Sequence, residues 1–224
     1  MTTLALFDLD HTLLPLDSDY EWGRYLVKRG VVDVAAFEAR NAAFFLQYQA
    51  GTLDAAEYLE FALGTLARFP RTALDALHQD FMREVITPAI LPAAQTLVQR
   101  HQEAGDLVAI VTATNRFITA PIAAAFAIEH LLAAEPEETA DGTLTGKLLG
   151  IPSMGSGKIV HTQDWLAGMN RSMASFERSY FYSDSHNDLP LMSMVTDPVA
   201  TNPNTPLTAH ATANGWPILK LFND

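Results

Sequence analysis

Four successive apolar residues, Leu4-Ala5-Leu6-Phe7, form a run that stops abruptly at Asp8. A strand sends alternate side chains to opposite faces, so one that is apolar on both must lie inside a sheet covered on both sides. Comparable runs recur at Leu107 to Val111, Ser179 to Tyr182, Val199 to Ala200 and Ile218 to Leu219. Helical periodicities separate them. Pro92 to Ala104 carries Leu97, Val98 and His101 on one face and is followed by Gly105; Gly157 to Ala167 and Asp188 to Met194 are two more. Strand and helix in turn predict βαβ units, and hence an α/β fold with a doubly wound parallel sheet. With 224 residues, 49% of them hydrophobic, the chain can cover both faces of such a sheet.

One region breaks the alternation. Between Asp17 and Pro88 only helical patterns appear: Glu21 to Arg29, Asp33 to Gln49, Leu53 to Phe69 and Thr72 to Ile86. In the third, Tyr58, Phe61, Ala62, Thr65, Leu66 and Phe69 share one face. The reading is a core of residues 1–16 and 89–224 with a helical cap, residues 17–88, inserted between the first and second strands. Phe37, Phe44, Phe45 and Tyr48 are expected to form the cap's own core rather than a substrate pocket.

Composition removes several classes. No apolar run approaches the ~18 residues that span a bilayer, and Met1-Thr2-Thr3 shows no basic region or cleavage site, so a cytoplasmic protein with no membrane partner is expected. The absence of cysteine excludes thiolate zinc sites, disulfides and a cysteine nucleophile. A net charge of −12 argues against nucleic acid as a partner. Oligomeric state is not readable.

Chemistry gathers where the strands end. Asp8 and Asp10 follow the first, Thr112 closes the apolar part of the second, Lys158 opens a helix in GSGKIV, and Asp184, Asn187 and Asp188 follow a later strand in SDSHND. The carboxyl edge of a doubly wound sheet is where ligands bind. Carboxylates, a hydroxyl and a lysine on that edge suit phosphoryl transfer, which needs a metal, positive charge and donors around phosphate oxygens. Taken singly, the aspartates can close turns, Thr112 can cap a helix and Lys158 can be a solvated helix-start lysine. GSGK itself is no nucleotide loop: Pro152 stands at the first-glycine position and Ile159 where serine or threonine is required.

Through FDLDHT, Thr112 of VTATNR, Lys158 and SDSHND, spread over residues 7 to 188, the sequence resembles the haloacid dehalogenase-like (HAD) hydrolases. The insert resembles the helical cap of their phosphoserine phosphatase-like branch (subfamily IB), and DSDYEWGRYL with VTATNR is similar to histidinol-phosphate phosphatase-like members. The resemblance implies a Rossmann-like core and Mg2+-dependent hydrolysis of a small phosphorylated metabolite through an aspartyl-phosphate. Asp8 would be the nucleophile and Asp10 the general acid and base. Mg2+ would be held by the Asp8 carboxylate, the Asp10 backbone carbonyl and Asp184, with Asp188 orienting metal waters. Thr112 and the Ala113 N–H would hold phosphate oxygens, Lys158 would offset the charge of Asp8 and phosphate, and Asn187 would add a polar contact. A phosphotransferase using the same chemistry and a non-catalytic metal-binding relative are the alternatives.

Two positions depart from the family pattern: Ser183 replaces a common glycine, and His11 stands where glycine or serine is common. His11 is expected to make a structural hydrogen bond rather than bind metal. Asp17, nine residues after Asp8, matches a position where phosphoserine phosphatases carry a carboxylate that meets the substrate amine. Asp17 or Asp19 would then pair with the amine of a substrate such as histidinol phosphate or phosphoserine; Asp17 can equally cap the first cap helix. Arg24, Arg40, Arg68 and Arg116 are further candidates for substrate contact.

Overall fold

A computed structural model of the chain describes residues 3–222, apart from the side chains of residues 34, 36, 38, 48 and 49. Strand β1 (Thr3–Phe7) runs through the middle of a seven-stranded sheet ordered β4-β3-β2-β1-β5-β6-β7. The expected two-sided burial is literal: Ala5 and Phe7 enter one hydrophobic cluster, Leu4 and Leu6 the other, and all four are fully buried. Burial of each leucine or phenylalanine contributes about 1.5–3 kcal/mol.

Among the described residues six helices follow β1 before the next strand, and the first five belong to or border the insert: α1 (Ser18–Lys28), α2 (Val34–Ala50), α3 (Ala55–Leu66), α4 (Arg71–Phe81) and the single turn α5 (Thr87–Ala89). Thr72 to Ile86, expected as one helix, is α4 continued by a wider π-type stretch over Met82–Ile86. The second half continues through α6 (Pro92–Glu103), β2 (Leu107–Asn115), α7 (Arg116–Ala125), β3 (His130–Glu138), β4 (Leu144–Leu149) and α8 (Ser156–Gly168). It closes with β5 (Arg178–Ser183), α9 (Leu189–Met192), β6 (Asp197–Thr201), α10 (Thr205–Asn214) and β7 (Ile218–Leu219).

All neighbouring strands are parallel except β3 and β4, which form an antiparallel pair at one edge. These two strands escape the sequence patterns: β3 turns charged after Ala134 and contains Pro136, and β4 is interrupted by Gly146. Both features are tolerated at an edge. Gly146, at φ +85°, lets β4 approach α3 closely; a Cβ there would lie 3.1 Å from Ala67 Cβ and 3.3 Å from Gly64 Cα. The edge pair thus props the helical insert.

On its other side the insert is joined to α7. Trp22 packs edge-on against Phe81 and Phe117, and His78 Nε2 lies 3.0 Å from the Ile118 carbonyl oxygen. Burial holds the His78 pKa below the usual histidine value, so a neutral ring donates Nε2–H to that carbonyl. Among the described residues no helix is long and apolar enough to cross a membrane.

Candidate active site

Pairing of β1 with β5 extends one residue further, where the Asp8 N–H donates to Tyr182 O at 2.9 Å. The chain then folds tightly, with the Leu9 carbonyl accepting from the N–H groups of Thr12, Leu13 and Leu14. His11 takes φ +56°, and Asn202 beyond β6 donates its Nδ2 to the carbonyls of His11 and Thr12 at 3.1 and 3.3 Å. Thr12 completes the link: its hydroxyl donates to Asp184 Oδ1 at 3.1 Å and accepts from Asp184 N–H at 3.0 Å. The loop after β1 is therefore locked to the loop after β5.

Lys158 sits in this frame, almost fully buried, with Nζ 2.9 Å from Asp8 Oδ1 and 2.8 Å from Asp188 Oδ2. Ser183, at the common-glycine position, donates its hydroxyl to Asp188 Oδ2 at 2.7 Å and so strengthens the site. Burial opposes the lysine's charge, but Asp188 and Asp8 outweigh it and hold Lys158 as an ammonium. Burial pushes Asp8 up to about 6 against the pull of Lys158. Asp184 is raised well above the carboxylate range by burial and by the charges of Asp8 and Asp188. Three buried carboxylates share one lysine.

A sharp loop delivers that lysine. Gly157 precedes it, and a Cβ at this position would lie 2.0 Å from the Pro152 carbonyl oxygen. Gly157→Ala must push apart the loop of Pro152 and Met154 and the first turn of α8. Displacement by about 1 Å lowers rates on the order of 100-fold. We expect a loss of at least about tenfold in kcat from this substitution. Retention of wild-type kcat would show that the lysine's placement is not tight.

Strand β2 carries three hydroxyl or amide groups at its tip. Its register against β3 slips between Val111 and Asn115, an irregularity that re-aims the end of the strand. Thr112 is buried and its Oγ1 accepts from the Thr114 N–H at 3.2 Å, which leaves the hydroxyl proton available to a ligand. Asn115, and not Thr112, caps α7 by accepting from the Ile118 N–H at 3.3 Å. Thr114 donates to Asp10 Oδ2 at 2.8 Å, while the Ser18 N–H donates to Asp10 Oδ1 at 2.7 Å. Burial, with Asp17 next, lifts Asp10 to about 6.

These groups surround a cavity of about 950 Å³, measured with its open mouth, that extends up to the insert. Asp8, Asp10, Asp17, Asp19, Thr112, Ala113, Lys158, Asn187 and Asp188 line it; Asp184 stands behind them on Thr12. Asn187 Nδ2 is buried there without a protein partner, a donor left for a ligand. Asp17 caps α1, its Oδ1 accepting from the Tyr20 N–H at 2.9 Å, and the residue also lines the cavity. Asp19 is more deeply buried and accepts from the Tyr58 hydroxyl of α3.

Three expectations are corrected. Arg116 lies away from the cavity, with Nε on both Glu135 oxygens at 2.7 and 2.8 Å and a second nitrogen on the Leu131 carbonyl. Arg24 and Arg40 likewise face outward onto Glu21 and Glu57, and Arg68 is exposed. Phe44 and Phe45 line the cavity as well as the insert, whereas Phe37 packs on Phe61; the Tyr48 side chain is outside the described residues. His11 makes no structural hydrogen bond through its ring among the described residues and instead borders the cavity. Thr114, Ser18 and Asn202 escape the sequence reading. Thr114 has a signal, the alternate hydroxyls of VTAT; Ser18 acts through its backbone, which no side-chain pattern reveals.

The family profile of the haloacid dehalogenase-like hydrolases matches residues 5–193. The chain belongs to this family. Within it, this HAD hydrolase is 44% identical over 98% of its length to a histidinol-phosphatase of Neisseria meningitidis serogroup C (strain 8013), covering 99% of that protein. It is 34% identical to a phosphoserine phosphatase of Mycobacterium tuberculosis over 97% of this chain and 70% of that one. A crystal structure of a protein of unknown function from Bordetella pertussis Tohama I superposes with a TM-score of 0.94 at 49% identity, covering 99% of this HAD hydrolase and 100% of that chain.

Proposed function

We propose that this phosphatase hydrolyses a small, amine-bearing phosphomonoester, such as histidinol phosphate or phosphoserine, through an aspartyl-phosphate on Asp8. The observation that carries the reading is the pair of carboxylates, Asp8 and Asp10, facing one cavity while Lys158 grips Asp8. The Asp8 carboxylate attacks phosphorus, the ester P–O bond breaks, and Asp10 delivers a proton to the departing alkoxide. Water then attacks the phosphorus of the acyl phosphate, Asp10 takes its proton, and inorganic phosphate leaves with Asp8 restored. Lys158, the Thr112 hydroxyl, the Ala113 N–H and the Asn187 amide are the donors for the phosphate oxygens.

The residues fit Mg2+. The buried surplus of carboxylate over ammonium around Asp8, Asp184 and Asp188 calls for a cation, and the available donors are oxygens only. Among the described residues no three His, Cys, Asp or Glu side chains gather as a metal cluster; the set proposed is two carboxylates, Asp8 and Asp184, with the Asp10 backbone carbonyl as third ligand. When bound, the ion supplies charge neutralisation for the phosphoryl group. Asp188 steadies that shell and Lys158 together.

Charge also favours a cationic substrate. Five carboxylates and one lysine line the cavity, so a phosphate dianion enters more readily if its own amine meets Asp17 or Asp19. The names of the Neisseria and Mycobacterium relatives support the two candidate esters. Residues 17–88 serve as a cap over the core formed by 1–16 and 89–224, closing the cavity to macromolecules and limiting water. Phosphate release from a panel of small esters, including histidinol phosphate and phosphoserine, tests the reading. Turnover with Mg2+ that stops in EDTA is the expected result; turnover unaffected by EDTA would overturn the metal, and no release from any ester would overturn hydrolysis.

A further inference from the structure

We infer that Thr114 is the positioning residue for Asp10. The inference rests on Asp10 as the acid of the proposed reaction. Both oxygens of Asp10 are engaged, but by partners of different chemistry. Oδ1 accepts from the Ser18 N–H at 2.7 Å, and Oδ2 accepts from the Thr114 hydroxyl at 2.8 Å. An amide N–H can only donate, and a carboxyl oxygen accepts it whether or not the acid is protonated, so this contact fixes Oδ1 in place. A hydroxyl both donates and accepts. Thr114 can donate to a carboxylate and, by turning its O–H, accept from the protonated acid or bond elsewhere without moving its oxygen. Thr114 therefore holds Asp10 in the same place through both halves of the proposed proton transfer.

Geometry supports the same assignment. Thr114 is 7% exposed, so its rotation is confined by packing, and it lines the cavity together with Asp10. Its own N–H is tied to Thr112 Oγ1 at 3.2 Å. The phosphate-holding hydroxyl and the partner of the acid are thus two posts on one strand tip. A phosphoryl group on Thr112 and a leaving oxygen near Asp10 are brought into register by β2 itself.

Leaving-group chemistry separates positioning from a merely structural role. An alkoxide needs the proton; the p-nitrophenolate ion does not. With the fastest alkyl ester of the panel, Thr114→Val is expected to lower kcat/KM by at least about tenfold, a part of the 10²–10⁴ that a general acid contributes. With p-nitrophenyl phosphate, kcat/KM is expected to stay within about threefold of wild type, because little of that contribution is drawn on. Thr114→Ser keeps the hydroxyl and should restore the alkyl rate. Equal losses on both esters, or a serine variant as impaired as valine, would overturn the inference if Asp10→Asn still shows the selective loss on the alkyl ester. If Asp10→Asn shows no such selectivity, the acid itself is misassigned and the inference falls with it. Thermal unfolding of each variant separates these outcomes from a loss of folded protein.

Discussion

Replacing Asp8 with asparagine is expected to abolish phosphate release while leaving the protein folded. The side chain keeps its shape, and its amide oxygen can still accept from Lys158, which retains Asp188 as its second partner at 2.8 Å. Charge repulsion around the buried carboxylates falls with the substitution. Asp184 is held well above its ordinary range by burial first and by Asp8 next, so removal of one negative neighbour relieves it. Chemistry, in contrast, loses its nucleophile. An amide at this position does not form the acyl phosphate, and Asp10 is held by Ser18 and Thr114 for its separate role as the acid. Residual turnover above about a hundredth of wild type, corresponding to less than about 2.7 kcal/mol of barrier, would count against covalent catalysis. Trapping of phosphate on the wild-type protein, and its absence from the variant, reads the same event directly.

Lys158→Met should damage both activity and stability, and the two losses have separate causes. Methionine matches the aliphatic length but leaves Asp8 and Asp188 buried without their shared cation. Removing one partner of a buried pair destabilises by about 3–5 kcal/mol. For a domain of this size that is about 10 °C in Tm. The rate falls further because the donor that meets charge on the transferring group is gone, a loss on the order of 10²–10³. Assays well below the variant's Tm isolate the second effect. Undiminished kcat/KM under those conditions would mean that the lysine is a structural counter-ion only, and equal thermal stability would mean that the carboxylates find other partners.

Legibility of this protein in its sequence follows the strength of local constraint. β1 is readable because Leu4 to Phe7 has no polar position to place in water. The aspartates are readable because two carboxylates at the end of such a strand are costly to bury without partners. The β3–β4 pair is not, since Pro136 lies beyond the last β3 residue paired with β2 and the edge strand β4 is interrupted by Gly146, so neither carries an alternation to detect. Phe44 misleads for a related reason: helical periodicity reveals which side of α2 is covered, but a ring against Tyr58 and Phe61 and a ring on a cavity wall share the same face. Arg116 follows the strand tip in sequence, yet its side chain turns along α7 to Glu135. Charge alone does not specify direction. Asp10's amide partner, Ser18, depends on where α1 begins, which is a backbone event.

The lock between the two catalytic loops has a consequence for how the chain is made. Thr12 and Asp184 are 172 residues apart, and β1 lies between β2 and β5. The strand that leads to Asp8 is therefore synthesised long before β5, and it is flanked on both sides only once β5 emerges. At about 5–20 residues per second, that interval is on the order of ten seconds or more. Throughout it, an apolar segment with at least one open edge waits for partners at high contact order. The helices of the insert are the next segments available, and Leu63, Leu66 and Leu74 share a cluster with Phe7. An insert whose residues line the cavity is thus also placed to shield the first strand during translation.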